Sequence, residues 1–396
     1  MKLLGGILLT IGTAIGGGML ALPVATAPIG FYHSTLLLFG CWLVMTSGAF
    51  LVLEVNLWLP KDSNLVSMAK LTLGKVGQAI AWVTCLLLLY SLLAAYIAGG
   101  SDFLKNILTK MNVVLPAWGV SILFTFVLGA VVYFGIRSVD HVNRVLMAVK
   151  LGALILLIGS LAPHVSFSFL SGGELKYLST SITVALTSFG FATIVPSLRS
   201  YFHDDVKKLR MVILIGSLIP LFFYIAWDFT VMGVIPREGS NGLIEMLNSG
   251  RSNSEFVNEI GNLLQRDVIT KFADVFTSIC LLTSFLGVAL CLFDFLADGL
   301  GLVKSGWRKS LVFAATFFPP LLIVLFNPGV FISALAYAGI YCIVLLVFMP
   351  ALMAWVGRYH KNIVSEFRVP GGKGLLLLLM LLSVLIIGQS LWSVFS

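Results

Sequence analysis

Gly12-Thr13-Ala14-Ile15-Gly16-Gly17-Gly18-Met19 decides how this chain is read. The octet sits inside an apolar run, Leu3 to Ile29, long enough to cross a bilayer at about 1.5 Å per helical residue. Between Gly12 and Gly18 four of seven positions are glycine, each costing roughly 1 kcal/mol of helix propensity relative to alanine. A plain membrane anchor has no use for that cost. In lipid, unwound backbone is tolerated only where protein buries it or a watery cavity meets it. The expectation is a first span broken at Gly16–Gly18, whose freed N–H and C=O groups hold a small polar solute at mid-membrane depth. Two plainer readings compete. Gly12 and Gly16 have the spacing of close helix packing, and Lys2, the apolar run and Ala25-Thr26-Ala27 imitate a signal peptide.

The rest of the chain bears on that choice. Of its 396 residues 59% are hydrophobic and 11% charged, with a mean hydropathy of +1.04. Soluble domains carry about 25% charged residues, so this is an integral membrane protein through most of its length. Its five cysteines lie inside apolar runs without metal-ligand spacing and read as small buried hydrophobes, with no sign of a disulfide, a metal site or a cofactor. Hydropathy windows give eleven spans: 3–30, 34–58, 78–104, 116–136, 145–163, 178–200, 211–234, 271–299, 310–327, 330–355 and 374–394. The longest connection, 235–270, holds one amphipathic piece, with Phe256, Ile260, Leu263 and Leu264 at helical spacing. With the N-terminus inside, 18 of the 25 Lys and Arg residues fall on the inner side and 7 on the outer. That asymmetry orients the chain N-in, with the C-terminus outside. It also accounts for the net charge of +8 without nucleic acid.

Span six repeats the anomaly of span one. Thr187-Ser188-Phe189-Gly190-Phe191-Ala192-Thr193 and then Pro196 interrupt it with glycine, small polar residues and proline. Lying five spans after the first, it runs the opposite way through the membrane. Gly/Pro-interrupted spans at matching places in two halves are the sequence mark of a transporter binding site. The expected architecture is therefore all-α, a single transmembrane domain over 1–396. It is a 5+5 inverted repeat, about 1–165 and 176–355, with broken helices 1 and 6 and an eleventh helix at 374–394.

The residues of span one, Gly12 through Pro23, resemble the first-helix signature of the bacterial hydroxy and aromatic amino acid permeases, and within them the tyrosine- and tryptophan-specific transporters. The likeness continues through Leu53-Glu54-Val55, Ala94-Ala95-Tyr96-Ile97, Thr187 to Phe191, Val195-Pro196-Ser197, Ser284 to Leu290, Leu292 to Asp298 and Tyr337-Ala338-Gly339. It implies a leucine-transporter-like fold of the amino acid–polyamine–organocation type. It also implies uptake of an aromatic amino acid, tyrosine first, across the bacterial cytoplasmic membrane by proton symport. Where family members often carry His after Phe-Gly-Phe, this chain has Ala192, which leaves tyrosine, tryptophan and phenylalanine all open.

An amino-acid site can be placed on these residues. Gly16, Gly17 and Gly18 would offer N–H groups at the positive end of a half-helix to a carboxylate, with Thr13 beside them and Ala14 and Ile15 completing the break. Carbonyls at Thr187, Ser188 and Phe189, around Gly190, would accept the ammonium group. Phe189, Phe191, Tyr90 and Tyr96 are candidate ring partners, worth about 0.5–1.5 kcal/mol each beyond area burial. Ionisable residues inside spans are functional candidates because burying charge in a bilayer is costly. Lys150 either snorkels to the interface or holds a cation's place against span-one carbonyls and the hydroxyls of Thr283 and Ser284. The latter follows a likeness to proton-coupled relatives in the wider superfamily. Asp228, six residues from the outer end of span seven, is either a proton relay or an interfacial residue, and Glu54, Asp294 and Asp298 are expected to pair with basic loops. The partners implied are the substrate, protons and lipid; nothing fixes an oligomeric state. No H-E-x-x-H or nucleophile–base pair at mid-depth supports an intramembrane enzyme, and the inverted breaks oppose a channel. A sodium-coupled or hydroxy amino acid transporter of the same fold, or a non-transporting sensor, remain alternatives.

Overall fold

The first and sixth spans are not continuous helices in the computed structural model of the protein, which describes residues 2–61, 63–134, 139–239, 242–249, 259, 267–300 and 306–395. Helix α1 (Lys2–Ala14) stops at Ile15, and α2 (Gly17–Thr26) starts after Gly16, whose extended backbone (φ −147°, ψ −152°) cannot continue either helix. With the short 3₁₀ turn that ends it, α2 is bent 51° from α1. The chain then runs through α3 (Phe31–Asn56), α4 (Leu65–Lys110), α5 (Ala117–Phe134) and α6 (Val139–Leu161). The sixth span opens with α7 (Leu178–Ser188), passes into a 3₁₀ turn at Gly190–Ile194, and resumes as α8 (Val195–Phe202), with Pro196 in its first turn. There follow α9 (Val206–Val234), α10 (Leu243–Ser249), α11 (Asp267–Gly299), α12 (Gly306–Phe326), α13 (Phe331–Ile343), α14 (Met349–Tyr359) and α15 (Gly372–Phe395). A single π-helical turn, Val344–Phe348, joins α13 to α14.

Among the described residues ten helical stretches are long and apolar enough to cross a membrane, and the bent α1–α2 pair makes up to eleven. No strand occurs among the described residues. The protein is thus an all-helical integral membrane protein. Span three is longer than its hydropathy window because Lys70 and Lys75 depress the profile over the first turns of α4. Those turns form nevertheless: Asn64 and Ser67 make a reciprocal capping box, and the helix kinks at Gly74, where φ is +75°. The amphipathic segment expected over 256–264 lies outside the described residues, 259 alone excepted.

Helix α2 forms the centre. Every residue from Gly17 to Thr26 is buried, packed against α7, α9 and α11. Its C-terminal end is sealed by backbone rather than side chains. Gly173, at φ +126°, lies so near Ile29 that a Cβ there would stand 2.0 Å from the Ile29 carbonyl oxygen, and the Glu174 N–H donates to Pro28 O over 2.8 Å. At the opposite end of the bundle, charges tie helix ends together. Glu54, closing α3, accepts from Arg358 Nε at 2.7 Å, from Arg358 Nη2 and from the Val369 N–H at 2.7 Å. Arg199, closing α8, donates to the carbonyls of Asn56 and Leu59 and pairs with Asp204. Hydrogen bonds from Lys61 and Arg199 hold the Asp204 carboxyl below its usual range.

Candidate functional site

A broken helix leaves carbonyls at one new end and amides at the other without intrahelical partners. The structure supplies partners for both. At the carbonyl end, Lys150 Nζ donates to Ile15 O over 2.5 Å, and its side chain is buried. An ammonium there faces the negative end of α1, where helix dipoles favour a cation. Beside it, Tyr224 Oη on α9 lies 2.7 Å from Ala14 O and 2.8 Å from Ser188 O. Ala14 ends α1 and Ser188 ends α7, so one phenol proton is shared between the carbonyl ends of both broken spans. At the amide end, the Gly17 N–H donates to Ser284 Oγ on α11 over 2.9 Å.

The three glycines at this break each face a different helix. A Cβ on Gly16 would stand 2.6 Å from Ser284 Oγ, one on Gly17 2.5 Å from the Tyr96 ring, and one on Gly18 3.1 Å from Ser188 Oγ. Close approach of backbone to α11, α4 and α7 is therefore what glycine permits here. Phe189 and Phe191 are fully buried, and Phe189 meets the Tyr224 ring edge-to-face with centroids 5.1 Å apart. Ala192 is buried beside them in the same 3₁₀ turn.

A model of the tryptophan/tyrosine permease family matches residues 1–390. The chain belongs to that family. Similar curated proteins include the Tyrosine-specific transport system 1 of Haemophilus influenzae, 36% identical over 97% of this chain and 95% of that protein. The Tryptophan-specific transport protein of the same organism is 33% identical over 97% and 94%. The Glutamine transporter 2 of Aliivibrio fischeri is 30% identical over 98% of each. The family and these relatives are transport proteins, not enzymes.

The permease brings together most of the residues singled out in its sequence. Ala14, Ile15, Gly16, Gly17, Gly18, Tyr96, Lys150, Ser188, Phe189 and Ser284 meet at the paired breaks. Thr187 is adjacent, its hydroxyl within reach of Leu335 O (2.7 Å) and Thr183 O (3.1 Å). Gly190 lies against α13, where a Cβ would meet Cys342 Sγ at 3.4 Å. Three candidates point elsewhere. Thr13 is exposed and bonds back to Leu9 O within α1. Tyr90 donates to Ala315 O on α12. Thr283 bonds back to Ile279 O, so the α11 hydroxyl at the break is that of Ser284, on the amide side and not on Lys150. Asp228 lies one helical turn beyond Tyr224, fully buried.

Tyr224 is the residue the sequence did not single out. A tyrosine in an apolar helix reads as packing until both breaks are in place, and its only sequence signal is a phenol that needs a partner when buried. Tyr224→Phe removes the one donor that serves two helix ends. Thermal unfolding of the solubilised variant should show a loss of about 1–3 kcal/mol, the cost of stranding buried carbonyls. A melting curve superimposable on that of the unmodified protein would show that the bridge contributes nothing.

Proposed function

We propose that this permease imports an aromatic amino acid, tyrosine in the first instance, by proton symport across the bacterial cytoplasmic membrane. The chain works as one domain, two inverted five-helix halves (about 1–165 and 176–355) with the eleventh helix appended, its N-terminus cytoplasmic and its C-terminus periplasmic. The observation that carries the reading is the meeting of both helix breaks at Tyr224 and Lys150. A zwitterion needs opposite partners a few ångströms apart. The start of α2 offers amides to its carboxylate, with Ser284 yielding the Gly17 N–H. The carbonyl ends of α1 and α7 suit its ammonium group, and Phe189, Phe191 and Tyr96 give its ring apolar neighbours. Lys150 occupies a carbonyl that a metal cation would otherwise take, which favours proton over sodium coupling. Exchange of its proton as the carrier alternates links the gradient to the cycle.

A second reading has its own support: one relative is named for glutamine, and Ala192 places a methyl group where the likeness expects an imidazole. The test is uptake of labelled tyrosine into proteoliposomes under an imposed inward proton gradient, with and without sodium. Unlabelled tryptophan, phenylalanine, serine and glutamine serve as competitors. Gradient-driven, sodium-independent uptake blocked only by aromatic competitors is the expected outcome. Competition by glutamine moves the substrate class, sodium dependence removes the coupling role of Lys150, and no uptake returns the chain to a sensor.

A further inference from the structure

We infer that Asp228 carries a proton in this arrangement and is the outward-facing proton-loading group of the cycle, joining α2, α3 and α9 when loaded. The inference rests on the proton-symport reading above and adds to it a second ionisable station, distinct from Lys150.

Asp228 Oδ2 lies 2.5 Å from Ser34 Oγ, in the first turn of α3, and 3.0 Å from Thr26 Oγ1, the last residue of α2. Each hydroxyl has one proton to give. That of Thr26 also has Leu22 O at 2.7 Å, the shorter of its two contacts and an ordinary bond one turn back along the helix. With the Thr26 proton on Leu22 O, the contact between Thr26 and Asp228 is a full hydrogen bond, and not the longer arm of a shared one, only if the acid supplies the proton. Ser34 then donates to Oδ2, Oδ2–H donates to Thr26, and every short contact is satisfied. A carboxylate in the same place would keep one undivided donor, Ser34, and share the other with Leu22 O.

The second oxygen agrees. Asp228 Oδ1 is buried and has no donor among the described residues. An unpaired carbonyl oxygen of a neutral acid is a tolerable cost; an unpaired carboxylate oxygen in a fully buried site is a far larger one. Nor does any Lys or Arg among the described residues pair with Asp228: Arg237, just past α9, lies against Gly172 and pairs with Glu238, and α11, whose Phe276 meets Trp227, brings Lys271 and an Asp274 paired with Lys110. Of the elements packed on α9, α1 brings only Lys2 at its far end. Helix α2 and the turn at Phe167–Leu170 bring no charged or titratable group. Helix α3 brings His33, whose Nδ1 lies on Ile29 O, and Glu54 at the opposite end of the bundle. Helix α6 brings Lys150, committed to Ile15 O, with Asp140, His141 and Arg144 at its other end. The turn after it brings His164, exposed and on Ser160 O, and α8 brings Arg199, paired with Asp204. On α9 itself Lys207, Lys208 and Arg210 stand near the start of the helix.

The position gives the proton a task. Thr26 and Ser34 flank the bend where α2 turns into α3, and Asp228 bonds both from α9. One turn inward on the same face of α9, about 6 Å by helical spacing, Tyr224 reaches the carbonyls beside the one that holds Lys150. Loading therefore means transfer of one proton from external water to the Asp228 carboxylate, which completes the bond to Thr26 and closes that corner. Loss of the proton leaves a charge that only opening to water can solvate.

Asp228→Asn tests this, because the amide imitates the neutral acid and cannot release a proton. In proteoliposomes, we expect proton-driven accumulation to fall more than tenfold while exchange of labelled for unlabelled substrate, which needs no net proton movement, falls less than threefold. Ser34→Ala, which retains the acid but removes its donor, should shift the external pH of half-maximal uptake. This keeps the test open if the asparagine variant does not fold. Accumulation by Asp228→Asn equal to that of a proton-driven unmodified protein, or an unmoved pH midpoint in Ser34→Ala, overturns the inference and leaves symport standing. Indifference of the unmodified protein to the proton gradient overturns both.

Discussion

Lys150→Met should abolish gradient-driven accumulation, lowering the steady-state concentration ratio at least tenfold in proteoliposomes. Methionine has nearly the length of the lysine stem and fills the same buried channel between α6 and the break, so packing is largely kept. What is lost is the ammonium on Ile15 O, leaving the end of α1 without its cation. Lys150→Arg separates two meanings of that loss. A guanidinium can hold the carbonyl but does not release its proton at physiological pH. If Lys150 only ties down the break, arginine restores accumulation in part; if it exchanges a proton, arginine fails as methionine does. Accumulation by Lys150→Met at the level of the unmodified protein would remove Lys150 from coupling altogether.

Arg358→Leu should destabilise the protein by about 3–5 kcal/mol, the usual cost of breaking one side of a buried ion pair. Both partners are almost fully enclosed, the Arg358 side chain at 2% and that of Glu54 at 1% exposure. Removing the arginine leaves Glu54 with the Val369 N–H as its remaining donor. The double variant Glu54→Gln/Arg358→Leu should recover much of the loss, because the amide oxygen still accepts from Val369 and no charge is stranded. Thermal unfolding in detergent measures both. A single variant within about 0.5 kcal/mol of the unmodified protein would show this end of the bundle to be solvated, as surface pairs are.

These two residues show what was legible in advance. Lys150 announced itself because a charge inside an apolar span is costly, and that cost is local, visible without knowing the fold. The break at Gly16–Gly18 was legible for the same reason, as a penalty no plain anchor would carry. Partner identity was not. The pairing of Glu54 with Arg358 spans 304 positions, and the bridge from Tyr224 to Ala14 spans 210; both are set by how helices pack, not by spacing along the chain. Tyr90 and Tyr96 make the point within one helix. Six residues apart in span three, they look alike, yet 3.6 residues per turn sends one to α12 and the other beneath Gly17. Thr13 and Thr283 are turned from the break for a different reason: a threonine inside a helix can satisfy its hydroxyl on the carbonyl four residues back, and both do.

The π turn at Val344–Phe348 sets the phase between two locks. Above it, α13 is keyed to α7: Thr187 donates to Leu335 O, and Gly339 lies so near Thr183 that a Cβ would stand 2.0 Å from that carbonyl oxygen. Below it, α14 is keyed to α3 through Arg358. Within the turn, Gly48 of α3 lies so close to Leu346 O that a Cβ would stand 2.2 Å away. Each residue advances an α-helix by about 100°, and a π turn absorbs one residue more than an α-helical path of the same length. Deleting a single residue there would restore an unbroken α-helix and rotate one key about 100° out of its slot. The most apolar of the described spans is thus a two-toothed gear, and its extra residue is the offset that lets both teeth engage at once.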